Sequence, residues 1–229
     1  MVAGKLPRKK DRISPTGTPG GSSDPSRPAW TSSEDPNLTL NDAQNRAADE
    51  FLARSRRNEP AITERLRDIA DRTGANMEGL KYRLKEEESF KRKFAGALDE
   101  FDGDVDEALA DMKDSVRYTF TLDSDRYTDG VQRSTEMMRE AGFEPVKWKP
   151  SWGDSGYRGV NSFWRDPETG QVFEAQFHTP ESFSAKMETH GLYDEIRLLP
   201  EGDAERIRLE NLQDDIFNRV PHPPGAENL

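Results

Sequence analysis

The chain has 229 residues, a formal net charge of −11 and no cysteine, with 32% hydrophobic and 34% charged residues. Without thiols there are no disulfides and no thiolate metal sites, and the acidic balance argues against DNA or any partner met by a broad basic field. A mean hydropathy of −0.97, with no apolar run near the roughly 18 residues of a membrane span, reads as a soluble protein with one ordered domain and tails.

The start, MVAGKLPRKKDR, is basic but no apolar segment follows it, so it is not a secretory signal. The expected location is cytoplasmic, or outside the cell by a signal-independent route. Residues 1–40 are crowded with Pro, Gly, Ser and Thr and read as a flexible leader, a disordered N-terminal tail anchored at most by Trp30. Helical spacing begins after Asn41 or Asp42, either of which suits an N-cap, with Ala43, Ala47, Phe51 and Leu52 on one stripe. A second helix is predicted after Pro60, carrying Ile62, Leu66, Ile69 and Ala70 and ending at Gly74.

Six cations, Lys81, Arg83, Lys85, Lys91, Arg92 and Lys93, then crowd one short stretch. Phe90, Phe94, Leu98 and Phe101 place the second half of it on an amphipathic helix beginning near Glu88 or Ser89. Such charges make either a solvated helix face or, at a loop-to-helix junction with free N–H groups, an anion site. A short helix around Val105, Leu109 and Met112 leads to a strand in which Val116, Tyr118 and Phe120 alternate with Arg117, Thr119 and Thr121, with Asp114 at its entrance. A helix over 126–141, stopped by Gly142, and a short strand with Val146 and Trp148 on one side come next.

Two strands, Val160 to Arg165 and Gln171 to His178, flank the turn Asp166-Pro167-Glu168-Thr169-Gly170. In the second, Phe173, Ala175 and Phe177 form one face and Glu174, Gln176 and His178 the other. Thr179 and Pro180 open a helix predicted to run to about Arg197 with Phe183, Met187 and Leu192 inward. A last helix over 204–219 packs Leu209, Leu212 and Ile216, and 221–229 is a tail. The sum is an α/β (α+β) domain over 41–220, a mixed β-sheet of about five strands flanked by helices.

Several of these segments, in order, resemble the alarmone synthetase domain of the RelA/SpoT type. Arg83-Leu84-Lys85, Ser89 and Lys93 resemble its ATP-binding loop and helix, Asp114 with Arg117 its metal-binding strand start, and Gly156-Tyr157-Arg158 its acceptor-stacking segment. Glu174-Ala175-Gln176 is similar to its catalytic E-I-Q strand, and His190 with Tyr193 to its H-x-x-Y helix. The resemblance covers about residues 80–197. It departs from the family where Asn161 replaces a His and His178 an Arg, and the short Asp-to-Arg spacing keeps Asp111 as a rival to Asp114. The wording is closer to secreted nucleotide pyrophosphokinases and toxin-associated synthetases than to long stringent-response enzymes, which leaves the acceptor base, adenine or guanine, open.

The resemblance implies a nucleotidyltransferase-like synthetase fold and a Mg²⁺-dependent enzyme. It would move the β,γ-pyrophosphate of ATP to the 3′-hydroxyl of a purine nucleotide, giving ppApp or ppGpp-type products and AMP. It implies Asp114 and Glu174 as metal ligands, with Glu174 also activating the hydroxyl. Arg83, Lys85, Ser89, Lys93 and Arg117 would bind ATP, and Tyr157, Arg158, Asn161, Gln176, His178, His190 and Tyr193 the acceptor. With His178, His190 and His222 as its three histidines and no His-Asp pair, the chain is expected to synthesise and not degrade. Two other classes stand beside this one: a toxin that pyrophosphorylates the 3′ end of tRNA, and an idle nucleotide- or protein-binding domain.

Overall fold

The computed structural model describes residues 28–153 and 156–229. At its centre is a five-stranded sheet in the order β3-β4-β7-β6-β5. The strands are β3 (Asn76–Glu78), β4 (Arg117–Thr121), β5 (Glu144–Pro150), β6 (Val160–Arg165) and β7 (Val172–His178). β4 and β7 run parallel; the other neighbours are antiparallel. The β6–β7 turn closes as its sequence dictates: Gly170 N–H donates to Asp166 O at 2.7 Å, and Thr169 Oγ1 donates to Asp166 Oδ2 at 2.7 Å.

Period-two alternation splits the sheet into an apolar and a polar face. Tyr118, Phe120, Val160, Trp164, Phe173, Ala175 and Phe177 are buried in one core with Ile62, Leu66, Ile69, Val131 and Met138. The last five come from helices α1 (Asp42–Thr73) and α4 (Tyr127–Glu140). The other face carries polar rows. Lys147, Phe163, Glu174 and Arg117 are successive register partners across four strands, and Lys149, Asn161, Gln176, Thr119 and Glu78 form the next row.

Four expectations are corrected. First, α1 is one helix of 32 residues with Pro60 inside it, not two. Ala48, Leu52, Ser55, Glu59, Ile62, Leu66 and Ile69 are all buried, an unbroken stripe of three- and four-residue steps through the proline. That burial outweighs the ~3 kcal/mol an internal proline costs. Asn41 is the N-cap, in a capping box with Gln44, and Gly74, at φ 70°, ends the helix in the left-handed region.

Second, the segment read as leader is folded from Trp30: β1 (Trp30–Thr31) and β2 (Thr39–Leu40) pair, Leu40 is buried with Phe90 and Phe94, and Ser32 and Ser33 donate to Glu88 Oε1. The basic cluster Lys5 to Arg12 lies outside the described residues. Third, the helix predicted to reach Arg197 breaks at Thr189 into α5 (Pro180–Glu188) and α6 (His190–Ile196), and Met187, expected inward, is exposed. Leu212 of α7 (Ala204–Asn218) is likewise at the surface. Fourth, the 221–229 segment is docked: Ala226 is buried, Thr128 Oγ1 donates to Pro224 O at 2.7 Å and Trp148 Nε1 to Leu229 O at 3.3 Å. Among the described residues no helix is long and apolar enough to cross a membrane.

Candidate active site

The six cations of the basic stretch have separate fates. Arg83 lies along the edge of β4, where Arg117 N–H donates to its carbonyl at 2.7 Å and Lys85 N–H donates to Ser115 O at 3.0 Å. Its guanidinium is turned to buried Glu59 of α1, with Nη2 3.1 Å from Oε2 and Nε on Oε1. Lys91 is buried between Asp49 and Glu87, at 2.7 Å from each, and Arg92 pairs with Glu34. Lys81 lies over the Tyr82 ring. Two remain for a ligand: Lys85 from the strand edge and Lys93 from α2 (Glu87–Glu100), both aimed at one carboxylate.

That carboxylate is Asp114, at the entrance of β4. Lys85 Nζ is 2.7 Å from Oδ2 and Lys93 Nζ 2.9 Å from Oδ1. Burial opposes ionisation of Asp114, but the two ammoniums outweigh it and hold its pKa at about 2. Ser89, in the first turn of α2, is half-buried. Lys85 lies two residues before α2 begins at Glu87, where free N–H groups favour an anion, and Lys93 reaches the same carboxylate from the second turn of the helix.

Glu174 occupies the next strand, its backbone registered with Arg117. It is 5% exposed and accepts from Gln176 Nε2 at 2.9 Å. Burial raises its pKa against the opposing pull of that hydrogen bond and of Arg117. Asp114 and Glu174 line one cavity of about 190 Å³, together with Lys93, Asp111 and, from β5, Lys147 and Lys149. A larger concavity of about 360 Å³ lies between β2 and α2 and carries none of the motif residues.

On the same face, beyond Gln176, Tyr157 is held by its hydroxyl. It lies 2.9 Å from Asn161 Oδ1 and 2.7 Å from His178 Nε2, while His178 Nδ1 is 2.9 Å from Ser182 Oγ of α5. Burial, reinforced by Lys186, depresses the His178 pKa to about 3, so the ring is neutral. If Tyr157 donates to the Asn161 oxygen, His178 donates from Nε2 and accepts from Ser182, a tautomer that satisfies all four groups. Gly159 makes room for that ring: at φ 151° a Cβ would sit 2.9 Å from Phe177 O and 3.0 Å from His178 Cε1.

No family model matches the chain, and no curated protein matches it in sequence. Solved structures do match it. The Streptococcus mutans protein smu.1046c superposes with a TM-score of 0.52 at 20% identity, over 74% of this chain and 88% of that one. The small alarmone synthetase 1 of Bacillus subtilis, bound to its product pppGpp, superposes with a TM-score of 0.51 at 15% identity, over 74% and 90%. A GTP pyrophosphokinase family protein of Streptococcus pneumoniae gives 0.52 at 16% identity, over 74% and 87%. The chain has the RelA/SpoT-type synthetase fold.

On this synthetase fold the predicted site residues other than Ser89 and Arg83, which is turned to Glu59, separate into three groups. Asp114, Lys93 and Glu174 share the cavity, with Lys85 on Asp114 and Arg117 beside Glu174; Asp111, the rival ligand, lines the same cavity and is paired with Lys113 at 2.8 Å. Gln176, His178, Asn161 and Tyr157 form the second group, joined by hydrogen bonds or register. The Tyr157 ring meets His178 and Phe217 edge-on, at centroid distances of 5.3 and 5.7 Å. Arg158, His190 and Tyr193 stand apart: Arg158 is buried on Gly153 O and Asn218 Oδ1, and His190 and Tyr193 are exposed on α6.

Four site-facing cations were missed from the sequence: Lys113 beside Asp114, Lys147 and Lys149 on β5, and Lys186 on α5. The alternation that put Val146 and Trp148 on one side already implied Lys147 and Lys149 on the other. Lys186, whose pKa burial and Arg117 lower to about 8, donates to Gln176 Oε1.

Among the described residues no group of three or more His, Asp or Glu side chains is placed to hold a metal ion; Mg²⁺, which takes one or two carboxylates and fills its octahedron with phosphate oxygens and water, would have Asp114 and Glu174 as its protein ligands. Asp114 and Glu174 offer hard oxygens in a cavity ringed by lysines. Both Asp114 oxygens already accept from ammoniums, so a cation there must share the carboxylate with Lys85 and Lys93.

Proposed function

We propose that the protein is a nucleotide pyrophosphokinase that moves the β,γ-pyrophosphate of ATP to the 3′-hydroxyl of a purine nucleotide, releasing AMP. One observation carries this reading: a buried carboxylate, Glu174, and a lysine-clamped one, Asp114, line a single cavity with further lysines, on the synthetase fold. The small alarmone synthetase bound to pppGpp supports the same class of product.

In the transfer, the 3′-oxygen attacks the β-phosphorus, the bond from that phosphorus to the α,β-bridging oxygen breaks, and AMP leaves with the electron pair. Lys85 and Lys93 neutralise charge on the triphosphate, and Lys147 and Lys149 widen the positive rim. Glu174, with its pKa raised by burial, takes the hydroxyl proton. Bound Mg²⁺, on Asp114 and Glu174 with Asp111 as a rival, would neutralise phosphate charge. Tyr157 offers the acceptor base an aromatic surface, held by Asn161 and neutral His178. With an Arg to His change at His178, this subsite does not dictate guanine, and both adenine and guanine nucleotides are proposed acceptors. The chain is proposed to synthesise only.

The test is incubation with labelled ATP and Mg²⁺ against AMP, ADP, ATP, GDP, GTP and tRNA, scoring AMP and 3′-pyrophosphorylated product. Coupled release with a mononucleotide supports the reading. Transfer to tRNA alone replaces it with the toxin reading, and no transfer at all sinks it.

A further inference from the structure

The Gln176 carboxamide has both ends committed. Its Oε1 accepts from Lys186 Nζ and from Thr119 Oγ1, the latter at 3.3 Å, while its Nε2 donates to Glu174 Oε1 at 2.9 Å. An ammonium has three donors and no acceptor, so it dictates which end of an amide faces it. A hydroxyl alone does not, because it accepts as readily as it donates. With Lys186 in place, the end of Gln176 facing Glu174 is a donor on chemical grounds, independent of how oxygen and nitrogen were assigned.

Gln176 and Glu174 are each 5% exposed, so little water competes for these bonds. Lys186 is not among the residues lining the Asp114–Glu174 cavity. Its reach to the reacting atoms runs through Gln176.

We propose that Lys186 is a positioning residue: by fixing the Gln176 amide it commits Glu174 Oε1 to a protein hydrogen bond and leaves Oε2 to the acceptor hydroxyl. This rests on the pyrophosphokinase reading for its consequence in turnover. Without the ammonium, the carboxamide is free to flip and turn its oxygen toward the carboxylate, which breaks the Gln176–Glu174 hydrogen bond and lets Glu174 rotate away. The effect belongs in kcat, because Lys186 does not line the Asp114–Glu174 cavity and acts on it through Gln176.

Two readouts test this. In steady-state assays, Lys186→Met is expected to lower kcat about 10- to 100-fold, the range typical of outer-shell partners, with the ATP KM changed less than about twofold. Lys186→Arg, which keeps a donor-only cation, is expected to recover most of kcat. Adding Lys186→Met to Gln176→Met is expected to cost nothing further. The second readout needs no turnover: the Gln176 side-chain amide NMR signal, assigned by its loss in Gln176→Met, should show slowed exchange in the wild type and in Lys186→Arg but not in Lys186→Met. Should the methionine variant fail to fold, Lys186→Ala reads the same quantities. Wild-type kcat in Lys186→Met, additive losses in the double variant, or an unchanged amide signal overturns the proposal. If the wild type transfers nothing, the pyrophosphokinase reading falls, and the amide signal alone decides whether Lys186 orients Gln176 toward Glu174.

Discussion

Lys93 of α2 and Asp114 at the start of β4 meet at 2.9 Å across the mouth of the cavity that Glu174 lines. With Lys85 on the other Asp114 oxygen, the carboxylate is a stand-in for the phosphate these lysines are proposed to bind. Replacing it with a neutral isostere separates two roles. Asp114→Asn is expected to cut turnover at least 100-fold and yet tighten ATP binding in EDTA, since both ammoniums lose their internal anion. Calorimetric titration with and without Mg²⁺ checks this: wild-type affinity should rise on adding Mg²⁺, and the variant's should respond far less. Equal Mg²⁺ dependence would move the metal role to Asp111.

Glu174→Gln is expected to lower kcat by about 10² to 10⁴, the span of a general base, while raising the melting temperature by a few degrees. The stability gain follows because burial already disfavours the ionised acid. Paired kinetic and thermal measurements decide; full activity would remove Glu174 from the mechanism.

His178 gives a pH dependence of stability. Its native pKa, about 3, lies below the ordinary imidazole value of 6.5, so the unfolded chain binds the proton first. Stability is fully present above pH ~6.5 and falls with acidification by about 1.4 kcal/mol per pH unit until the native pKa is reached. Urea unfolding between pH 7 and 5 should show this slope beyond that of His178→Gln. Identical slopes would mean the ring is solvated in the native state.

Arg83 shields Glu59, which is 2% exposed within α1. Arg83→Ala is therefore expected to cost about 3 kcal/mol in unfolding free energy, the consequence of leaving a buried carboxylate without its counter-cation, in addition to any loss of ATP binding. The double variant Glu59→Gln, Arg83→Met should recover much of that stability. A stable but inactive Arg83→Ala would assign the guanidinium to the ligand and not to the fold.

The strands were legible because their alternation is a local property: β4 and β7 read directly from Val116 to Phe120 and Phe173 to His178. The long helix was not, and the reason lies in two adjacent residues. Glu59 and Pro60 look like a break, since a charge interrupts the apolar stripe just where the proline removes a donor. The partner Arg83, 24 positions away, supplies the cation that, with the Thr63 hydroxyl one turn on, makes a buried Glu59 acceptable.

The face of α5 was misread for a similar reason. Phe183 and Met187 suggest an inward stripe, but Met187 is exposed, and the helix turns Ser182 and Lys186 to the polar sheet face and Ala185 to Ile216 and Phe217 of α7. A lysine on a short helix reads as solvated unless the chemistry of the surface opposite is known. The proposed donor site was half legible: the cationic stretch was plain, but which of its six members face Asp114 depended on Glu59, Asp49 and Glu34, none near them in sequence.

The pairing of β1 with β2 sets where this domain can be cut. Glu34 joins Arg92 of α2 to Arg197 beyond α6, the latter at 3.2 Å, while Leu40 closes the core around Phe90 and Phe94. A fusion or exchange that begins at residue 41 would strip the helix carrying Lys93 of its outer cover and free Arg92 from its pair with Glu34. The transferable unit includes Trp30, and its N-terminal hairpin acts as a buttress for the helix that carries Lys93.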